Sequence, residues 1–423
     1  MGFRKWQSEN NRCKALTYGK GKRSRLISNI MKKNILYLQS GGPTSVINSS
    51  LYGFVSFALE EDGIDGIYGA KFGIEGVLAG DFVNLREISK EDLSLLKQTP
   101  DMYLGSSRKN LSPDLSSDEY QKILKNLKER RIDAVFVNGG NDSMLTADRL
   151  YRFLKDSSSN VKVFGIPKTI DNDLCGFDHT LGFPSAALHL LSLVKCIAID
   201  GMSYKKGKIQ LVEAMGRDTG WLAASSDMLP SPYHPDFILI PEYKFDEEMF
   251  YKKLEEIYSK KGHALVVLSE GVNPCASLEK DPFGHENLEG AANIWDKAIR
   301  KKLGHKTRTT ILSSPMRSDP VLASQIDIDE AVMAAKEAIM YFEKGLNGVV
   351  PAIVRASDSP YRSSFSPISL DKVAGVVRYI PNEYLCDLTK MSDSFREYMK
   401  PLLKKRDILT DEQGLFLSAK PLR

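Results

Sequence analysis

Short, nearly continuous apolar runs alternate with segments of helical periodicity, and this alternation constrains the fold more than any other feature of the sequence. The apolar runs lie at 34–39, 134–138, 161–166, 208–214, 237–241, 264–269 and 308–312. The helical patterns lie at 46–60, 118–130, 143–156, 184–199, 246–260, 291–303 and 327–343. Apolar runs rich in β-branched residues are typical of strands buried on both faces. The alternation predicts an α/β protein with parallel sheets covered by helices. Because the units are too many for one sheet, we expect two domains.

The composition is compatible with two packed domains and points to no membrane or metal-scaffold class. Of the 423 residues, 42% are hydrophobic and 26% are charged. The five cysteines are widely separated and form no Cys-x-x-Cys pair, so neither a disulfide framework nor a zinc site is indicated. We expect a reducing, cytoplasmic setting. No apolar run approaches the roughly 20 residues that span a bilayer, and we expect no membrane association. The six histidines show no metal-binding spacing and receive no role.

The positive charge of the chain is concentrated at its N-terminus. Residues 1–30 hold eight Lys or Arg residues and one acid, which leaves 50 basic and 53 acidic residues in the remainder. The main body is therefore not expected to bind nucleic acid. We interpret residues 1–30 as a basic disordered extension or the product of a start site assigned too far upstream. A targeting peptide remains an alternative, since the segment is rich in Arg and poor in acids.

Two predicted strands end in paired glycines that precede a helix, at 41–42 and at 139–140. Glycine lets the backbone approach an anion closely, and a helix start offers free N–H groups and the positive end of the dipole. After the second pair, Asp142 or Ser143 could cap the helix, or the carboxylate could bind Mg²⁺. The alternative interpretation of both loops is an ordinary strand–helix turn. Two such loops favour a cleft that binds a phosphorylated ligand.

The stretch PKTIDND at 167–173 places a cation, a hydroxyl and two carboxylates at the end of a predicted strand. Lys168 can neutralise a phosphoryl group, and Thr169 can donate to a phosphate or hydroxyl. Asp171 can accept a hydroxyl proton, and Asp173 can orient water on a metal. Phosphoryl transfer needs this mixture, because the protein must position groups and stabilise charge. The alternative interpretations are a turn in which Asp and Asn bond their own backbone, or an ion-pair cluster.

Several ordered motifs resemble those of the phosphofructokinase family, and within it those of the pyrophosphate-dependent branch. They are SGGPTSVIN at 40–48, LGSSR at 104–108, GGNDS at 139–143, PKTIDND at 167–173, LGF at 181–183, EAMGRDTGW at 213–221, SEG at 269–271 and RTTILSSPMRSD at 308–319. The resemblance covers about residues 33–355. It implies the phosphofructokinase fold, in which two Rossmann-like domains with mostly parallel sheets face each other across the active-site cleft.

The resemblance also implies domain boundaries. Residues 31–182 plus 316–366 would form the domain that binds the phosphoryl donor. Residues 183–315 plus 367–423 would form the domain that binds the sugar phosphate.

Individual roles follow from the same resemblance. Gly42 would offer its backbone to the donor phosphates, and Arg108 would hold the phosphoryl group in transfer. Asp171 would be the base that takes the proton of the sugar 1-hydroxyl, with Thr169 beside it. The remaining sugar-phosphate contacts are implied for Met215, Gly216, Arg217 and Glu270, and those to the 6-phosphate for Arg317, Arg308 and Lys208. Since some 6-phosphate contacts come from a neighbouring subunit in the family, a homodimer or homotetramer is implied.

Two positions decide the donor. ATP-dependent relatives have Gly where this chain has Asp142 and Lys168. The Asp142 carboxylate would project where the α-phosphate of ATP must pass, and two like charges would then meet in a poorly solvated cleft. Lys168 supplies a cation suited to a leaving phosphate. We therefore predict reversible transfer from Mg-pyrophosphate to the 1-hydroxyl of fructose 6-phosphate. Mg²⁺ is the expected cofactor, with Asn141, Asp142 and Asp173 as its candidate ligands.

Two departures from the family pattern leave alternatives open. Asn141 stands where most relatives carry an acid, which reduces the charge available to a metal. Ser314 stands where a larger His or Tyr usually touches the sugar, so sedoheptulose 7-phosphate is an alternative acceptor. The alternative functions are an ATP-dependent phosphofructokinase and a non-catalytic subunit that senses sugar phosphate.

Overall fold

The computed structural model describes residues 32–244, 246–272 and 290–422. The extension at 1–30, Cys13, Cys275 and His285 lie outside these ranges. The strands are β1 Lys33–Gln39, β2 Ile64–Ala70, β3 Phe82–Asn84, β4 Ile132–Gly139, β5 Lys162–Pro167, β6 Ile209–Ala214, β7 Phe237–Leu239, β8 Ala264–Ser269, β9 Thr307–Ile311, β10 Val349–Asp358 and β11 Tyr361–Ser369. The α-helices are α1 Ile47–Glu60, α2 Ile74–Ala79, α3 Lys90–Leu95, α4 Asp118–Glu129, α5 Asn141–Asp156, α6 Phe183–Met202, α7 Trp221–Ser225, α8 Glu247–Lys261, α9 Ala291–Leu303, α10 Ser313–Ser318, α11 Gln325–Glu343 and α12 Asp393–Met399. Each strand and helix predicted from the sequence is present.

The first sheet has seven strands in the order β11-β10-β5-β4-β1-β2-β3. The five inner strands are parallel, and the edge strands β11 and β3 are antiparallel to their neighbours. The sequence patterns missed β2, β3, β10 and β11. In β2, glycines interrupt the apolar run, and β11 has polar residues at most positions because it lies exposed at the edge.

The second sheet has four strands in the order β7-β8-β6-β9, and all neighbouring pairs are parallel. The fold class predicted from the alternation, α/β with mostly parallel sheets, is confirmed. Every residue of the apolar strand β8 is buried, as expected for a parallel strand covered on both faces.

Helices cover both faces of each sheet. On one face of the first sheet, α1 packs closely against α11, and a Cβ added to Gly53 would lie 2.3 Å from the carbonyl oxygen of Val332. Only glycine permits that approach. The opposite face is covered by residues of α4 and α5. The second sheet packs against α6, α7 and α12 on one face and against α8 and α9 on the other.

One helix departs from the expectation about membrane spans. By length and composition alone, α6 is able to cross a membrane, with 20 residues and a mean hydropathy of 1.4 over its most apolar window. The expectation that no such segment exists was therefore wrong. Phe183, Leu190 and Val194 of this helix lie in the core beside the second sheet. The apolar character of α6 is explained by that packing.

The C-terminal segment contacts the cores of both sheets. Leu370 and Val373 pack in a core of the first sheet, and Ala419 packs in the core on its other face. Phe395 and Tyr398 pack beside the second sheet. Strands β1 to β5 and β10 fall within the range assigned to the donor domain, and β6 to β9 fall within the range assigned to the sugar-phosphate domain, whereas β11 of the first sheet runs across the predicted boundary at 366 and 367. The boundaries themselves, in particular the division between 366 and 367, stay a prediction.

Candidate active site

The predicted donor loops follow adjacent parallel strands of the first sheet. Strands β1, β4 and β5 are neighbours, so the loops after Gln39, Gly139 and Pro167 leave the same edge of the sheet. The carboxyl ends of parallel strands form the usual ligand-binding edge of such sheets. The predicted sugar loops follow β6 and β8, which are neighbours in the second sheet. Each sheet thus places its predicted loops side by side.

Lys168 joins two of the donor loops. Its Nζ donates to the carbonyl oxygen of Gly42 at 2.6 Å, and its backbone N–H donates to the carbonyl oxygen of Gly139 at 2.9 Å. The side chain is 3% exposed, and burial lowers the pKa of Lys168 to about 8 against the opposing effect of Asp171. Gly41 has a φ of +81°, and a Cβ there would lie 3.3 Å from the Lys168 ammonium. Glycine at position 41 therefore leaves the space that the Lys168 ammonium group occupies.

Thr169 and Asp171 form a tight side-chain pair in the loop at 169–173, which we call the catalytic turn. The Thr169 hydroxyl donates to Oδ2 of Asp171 at 3.2 Å, and the Asp171 N–H donates to Oγ1 of Thr169 at 3.2 Å. Burial raises the pKa of Asp171, against the effects of Thr169 and of the nearby Arg217 and Lys168. Thr219 of the sugar loop donates to the Asp171 carbonyl oxygen at 3.3 Å. The turn thus connects the two sheets.

Asp173 lies within the same group of acids. Burial, then the neighbouring charges of Asp171, Asp218 and Asp142, raise the pKa of Asp173 to about 7. Its Oδ1 is buried and has no hydrogen-bond partner among the described residues. A buried carboxylate oxygen without a partner, next to further carboxylates, fits a hard divalent cation with few protein ligands. The described residues contain no group of three or more His, Cys, Asp or Glu side chains arranged to hold a metal by themselves.

The two other predicted metal ligands differ in what surrounds them. Asp142 is exposed in the first turn of α5. Both polar ends of the Asn141 side chain bind a distant loop: Nδ2 donates to the Val376 carbonyl oxygen at 3.1 Å, and Oδ1 accepts from the Gly375 N–H at 2.7 Å. These contacts give Asn141 a structural function that the sequence did not indicate. Its role as a metal ligand stays a prediction.

The sugar loops contribute a further acid, the half-buried Glu270. Burial, then the charge of Asp171, raise the pKa of Glu270 to about 7, while Oε1 of Glu270 accepts from the Gly216 N–H at 3.3 Å and lies 3.9 Å from Nε of Arg217. Gly216 has a φ of +132°, and a Cβ there would lie 2.5 Å from the Thr219 carbonyl oxygen. The loop that begins at Met215 therefore requires glycine at 216.

Arg317 lies beside the donor loop. A Cβ added to Gly42 would be 3.2 Å from Nη1 of Arg317. Burial, then the charge of Arg108, lower the pKa of Arg317, and its Nε has no partner among the described residues. Arg108 itself is exposed. The neighbouring Ser318 donates to Oδ1 of Asp101 at 2.7 Å, which links α10 to the segment that carries Arg108.

The three residues predicted to bind the 6-phosphate are not brought together within one chain. Lys208 directly precedes β6 and Arg308 lies near the start of β9, so both are at the amino ends of strands. Arg308 is half exposed, with Nη1 3.6 Å from Oδ2 of Asp200. Arg317 follows the carboxyl end of β9. Five or six strand residues separate the two edges by roughly 15 to 20 Å, because each residue advances about 3.3 Å. The implied sharing of the 6-phosphate contacts with a neighbouring subunit stays a prediction.

The structure also identifies residues near the site that the sequence reasoning passed over. Asp218 contributes to the raised pKa of Asp171 and Asp173. Asn172 is buried with a φ of +57°, a left-handed conformation that Asn tolerates better than most residues. Arg378 donates to the Asn172 carbonyl oxygen from 206 positions away. The Asn between two acids was a usable signal, whereas nothing local marked Arg378.

Comparisons with known proteins agree with this geometry. The sequence pattern of the family described as "Phosphofructokinase" matches residues 34–340. The chain is 34% identical over 384 residues to a pyrophosphate--fructose 6-phosphate 1-phosphotransferase of Xanthomonas campestris pv. campestris, covering 88% of this chain and 91% of that protein. It is 30% identical over 381 residues to a sulfofructose kinase of Alkalicoccus urumqiensis, covering 89% and 97%.

Solved structures give the same result. The crystal structure of a pyrophosphate-dependent phosphofructokinase from Nitrosospira multiformis matches with a TM-score of 0.83 at 30% identity, covering 92% of this chain and 97% of that one. The chain therefore belongs to the phosphofructokinase family. Its predicted fold and its predicted likeness to the pyrophosphate-dependent members are both confirmed.

Proposed function

We propose that this enzyme transfers a phosphoryl group reversibly from Mg-pyrophosphate to the 1-hydroxyl of fructose 6-phosphate, giving fructose 1,6-bisphosphate and phosphate. The observation that carries the proposal is the buried Lys168 ammonium, which donates to the Gly42 carbonyl oxygen at 2.6 Å and is followed three residues later by the Asp171 carboxylate. A cation for the donor and a base for the acceptor thus leave the same strand end. Relatives that cover most of the chain carry the same activity in their names.

The residues of the chain suit an in-line displacement. The 1-hydroxyl oxygen attacks the terminal phosphorus, its proton passes to Asp171, and the bond to the leaving phosphate breaks. A base works best when its pKa is close to the working pH, and burial raises the pKa of Asp171 in that direction. Lys168 neutralises the leaving phosphate, while Arg108 and Arg317 stabilise the charge on the phosphoryl group in transfer.

Mg²⁺ fits the acidic side of the site. Asp173, with its unpartnered buried oxygen, and Asp142 in the first turn of α5 would hold the ion. When bound, Mg²⁺ supplies positive charge that offsets the negative charge of the donor. Burial, then repulsion by the neighbouring acids, raise the pKa of Asp173 to about 7, and such a cation would offset both effects.

The choice of pyrophosphate over ATP depends on Asp142. An anion at the start of α5 would be attracted by the helix dipole, yet an exposed carboxylate already lies in that first turn. A longer nucleotide would have to pass this charge. Replacing Asp142 with Gly should therefore lower the activity with pyrophosphate and raise the activity with ATP, and Asp156→Asn at the other end of α5 is the control for a lost acid.

A homodimer or homotetramer and a cytoplasmic location are also part of the proposal. Lys208 and Arg308 share an edge of the second sheet roughly 15 to 20 Å from their own subunit's sugar loops, a distance based on strand length. The half-buried Lys208 and the exposed Arg308 on one edge could bind the 6-phosphate held in an adjacent subunit. Cytoplasmic sugar phosphates would be the available substrates.

A direct assay tests the proposal. Purified protein with Mg²⁺ and fructose 6-phosphate should consume pyrophosphate and release phosphate, with ATP giving less than about one hundredth of that rate. Comparable activity with ATP alone would assign the chain to the ATP-dependent class. Binding of sugar phosphate without turnover of either donor would favour a sensing subunit. Chelation of the metal should abolish turnover, and Mg²⁺ should restore it.

A second acceptor is favoured by one feature of the sugar side. Ser314 is small and exposed in α10, three residues before Arg317. It leaves room for a larger or differently charged sugar than a His or Tyr would. One relative is named a sulfofructose kinase. The donor assay should therefore compare fructose 6-phosphate, sedoheptulose 7-phosphate and 6-sulfofructose, and kcat/KM for the three identifies the acceptor.

A further inference from the structure

A segment from the C-terminal part of the chain runs alongside the catalytic turn. We call residues 375–380 the brace. Leu174 and Val377 form an antiparallel bridge, and the Arg378 N–H donates to the Asp173 carbonyl oxygen at 2.7 Å. The brace is about 200 positions from the turn in sequence, and none of the motifs includes it. It therefore supports the turn from outside the family's ordered motifs.

Arg378 makes the densest set of contacts in the brace. Its Nη1 donates to the Asn172 carbonyl oxygen at 3.2 Å, and its guanidinium lies 4.3 Å from the ring centroid of Trp221. The Trp221 Nε1–H in turn donates to the Arg378 carbonyl oxygen at 3.2 Å. The side chain is half-buried between the catalytic turn and the start of α7. One residue thus contacts the donor-side turn and the sugar-side helix together.

The part of the turn that Arg378 holds is the part whose conformation needs support. Asn172 adopts a φ of +57° between the two functional acids. Its Nδ2 donates to the Tyr398 hydroxyl at 3.1 Å, and its Oδ1 accepts from the Thr180 N–H at 2.9 Å. A left-handed residue that is not glycine persists when its surroundings fix it. Because Asn172 lies between Asp171 and Asp173, its backbone sets the directions in which both carboxylates point.

Both ends of the brace are tied to other loops of the site. Gly375 and Val376 bond the side chain of Asn141 at the start of α5. At the other end, the Ile380 N–H donates to Oε1 of Glu242 at 3.3 Å, and Glu242 also accepts from the Gly220 N–H at 3.0 Å. The brace therefore connects the second donor loop, the catalytic turn and the loop before α7.

We propose that Arg378 is a positioning residue, which fixes the catalytic turn between the two sheets so that Asp171 faces the acceptor hydroxyl while the donor is held on the neighbouring loops. This inference rests on the proposed phosphoryl transfer. Arg378 acts through Asn172 and Trp221 and has no assigned contact with either substrate. Its loss should therefore lower turnover more than substrate binding.

The test compares Arg378→Ala, Arg378→Lys and the control Arg362→Ala, an exposed arginine on β11. We expect Arg378→Ala to reduce kcat by about 100-fold, as misplacement of a reacting group by about 1 Å does, with both KM values changed less than about threefold. Arg378→Lys keeps the charge and part of the stacking, so its kcat should be about tenfold higher than that of Arg378→Ala. Arg362→Ala should match the unchanged protein.

Two outcomes would overturn the proposal: a kcat of Arg378→Ala within about threefold of the unchanged protein, or a loss confined to KM. If Arg378→Ala does not fold, as judged by its thermal transition, Arg378→Gln replaces it under the same criteria. Amide hydrogen exchange at 171–174 separates this inference from the proposed function. Faster exchange there in the variant supports the brace whatever the substrate, and unchanged exchange contradicts it.

Discussion

Two groups of charged residues involve nearby parts of the chain, at 168–173 and at 178–179, and their surroundings act on them in opposite directions. Burial raises the pKa of Asp171 and Asp173 in the catalytic turn, and it lowers the pKa of Lys168, which directly precedes the turn. Each of these groups is shifted toward its neutral form. A few residues further along the chain, the shifts favour the charged forms.

The second group, which we call the His179 network, consists of Asp178, His179, Glu330 and Arg355. Nδ1 of the fully buried His179 is 2.8 Å from Oδ2 of Asp178, and Nε2 is 2.7 Å from Oε2 of Glu330. Arg355 binds both carboxylate oxygens of Asp178, at 3.0 and 2.9 Å. Burial disfavours the imidazolium, yet Glu330 and Asp178 outweigh it and raise the pKa of His179 to about 9.

The difference lies in which partners the chain itself supplies. In the His179 network, each charge has an opposite charge within hydrogen-bonding distance, and the pKa values of Asp178 and Glu330 are lowered despite burial. In the catalytic turn, acids lie beside acids, and Oδ1 of Asp173 has no partner among the described residues. A buried group that is costly to ionise indicates a site completed by a ligand. Under the proposed function, metal and substrates would complete the catalytic turn, whereas the His179 network is complete by itself.

The comparison predicts its largest effect at Asp171. Asp171→Asn should lower kcat by about 10²- to 10⁴-fold, because the base is lost while the shape is kept. Its thermal stability should not fall, since the removed carboxylate is destabilised by burial. The control is Asp156→Asn on the exposed end of α5. Turnover within tenfold of the unchanged protein would show that Asp171 is not the base.

In the His179 network, we expect a loss of stability with little change in kcat. Asp178→Asn should lower the free energy of unfolding by about 3 kcal/mol, because His179 and Arg355 lose a buried charged partner. Its kcat should change less than threefold in the folded protein, since its backbone contacts remain. Asp358→Asn is a matched control, because it removes the other acidic partner of Arg355. Since the Asp358 side chain is 66% exposed, this substitution should lower the free energy of unfolding by less than about 1 kcal/mol. If denaturant unfolding gave equal losses of free energy for Asp178→Asn and Asp358→Asn, the distinction between the His179 network and the catalytic turn would not hold.

Stability as a function of pH tests the charge of His179. Its pKa is raised from about 6.5 to about 9, so the stabilisation is full below pH 6.5 and is lost as the pH rises through 9. The stability gap between the unchanged protein and His179→Gln should therefore narrow by roughly 2 kcal/mol between pH 7 and pH 9. A gap independent of pH would mean that His179 is not charged in the fold.

The smallest expected effect concerns the pH dependence of activity. With a pKa of about 8, Lys168 is protonated below pH 8 and neutral above it. At pH 9 about one tenth of the molecules keep the ammonium, so kcat should fall about tenfold from its value at pH 7. Lys168→Arg, which stays charged, should be less active at pH 7 but lack this alkaline decline. An identical decline in Lys168→Arg would assign it to another group.

The sequence by itself determined the strands buried on both faces and the loops that follow them. Continuous apolar runs identify such strands, and the chemistry of the loops is written in adjacent residues such as Lys168 and Asp171. These features depend on neighbours within a few positions, so a local pattern reveals them. The glycine-interrupted β2 and the polar edge strand β11 have no such pattern, because their pairing depends on the sheet around them.

Only the tertiary structure decided which residues meet across long separations. It placed Lys208 and Arg308 at the sheet edge opposite the sugar loops, and it tied Asn141 to the brace. It also brought Arg378 to the catalytic turn and Glu330 to His179. These contacts join positions more than 100 residues apart, and their geometry follows from how helices and sheets pack. The local sequence fixes the kind of side chain at each position, whereas packing determines which partners satisfy its charge.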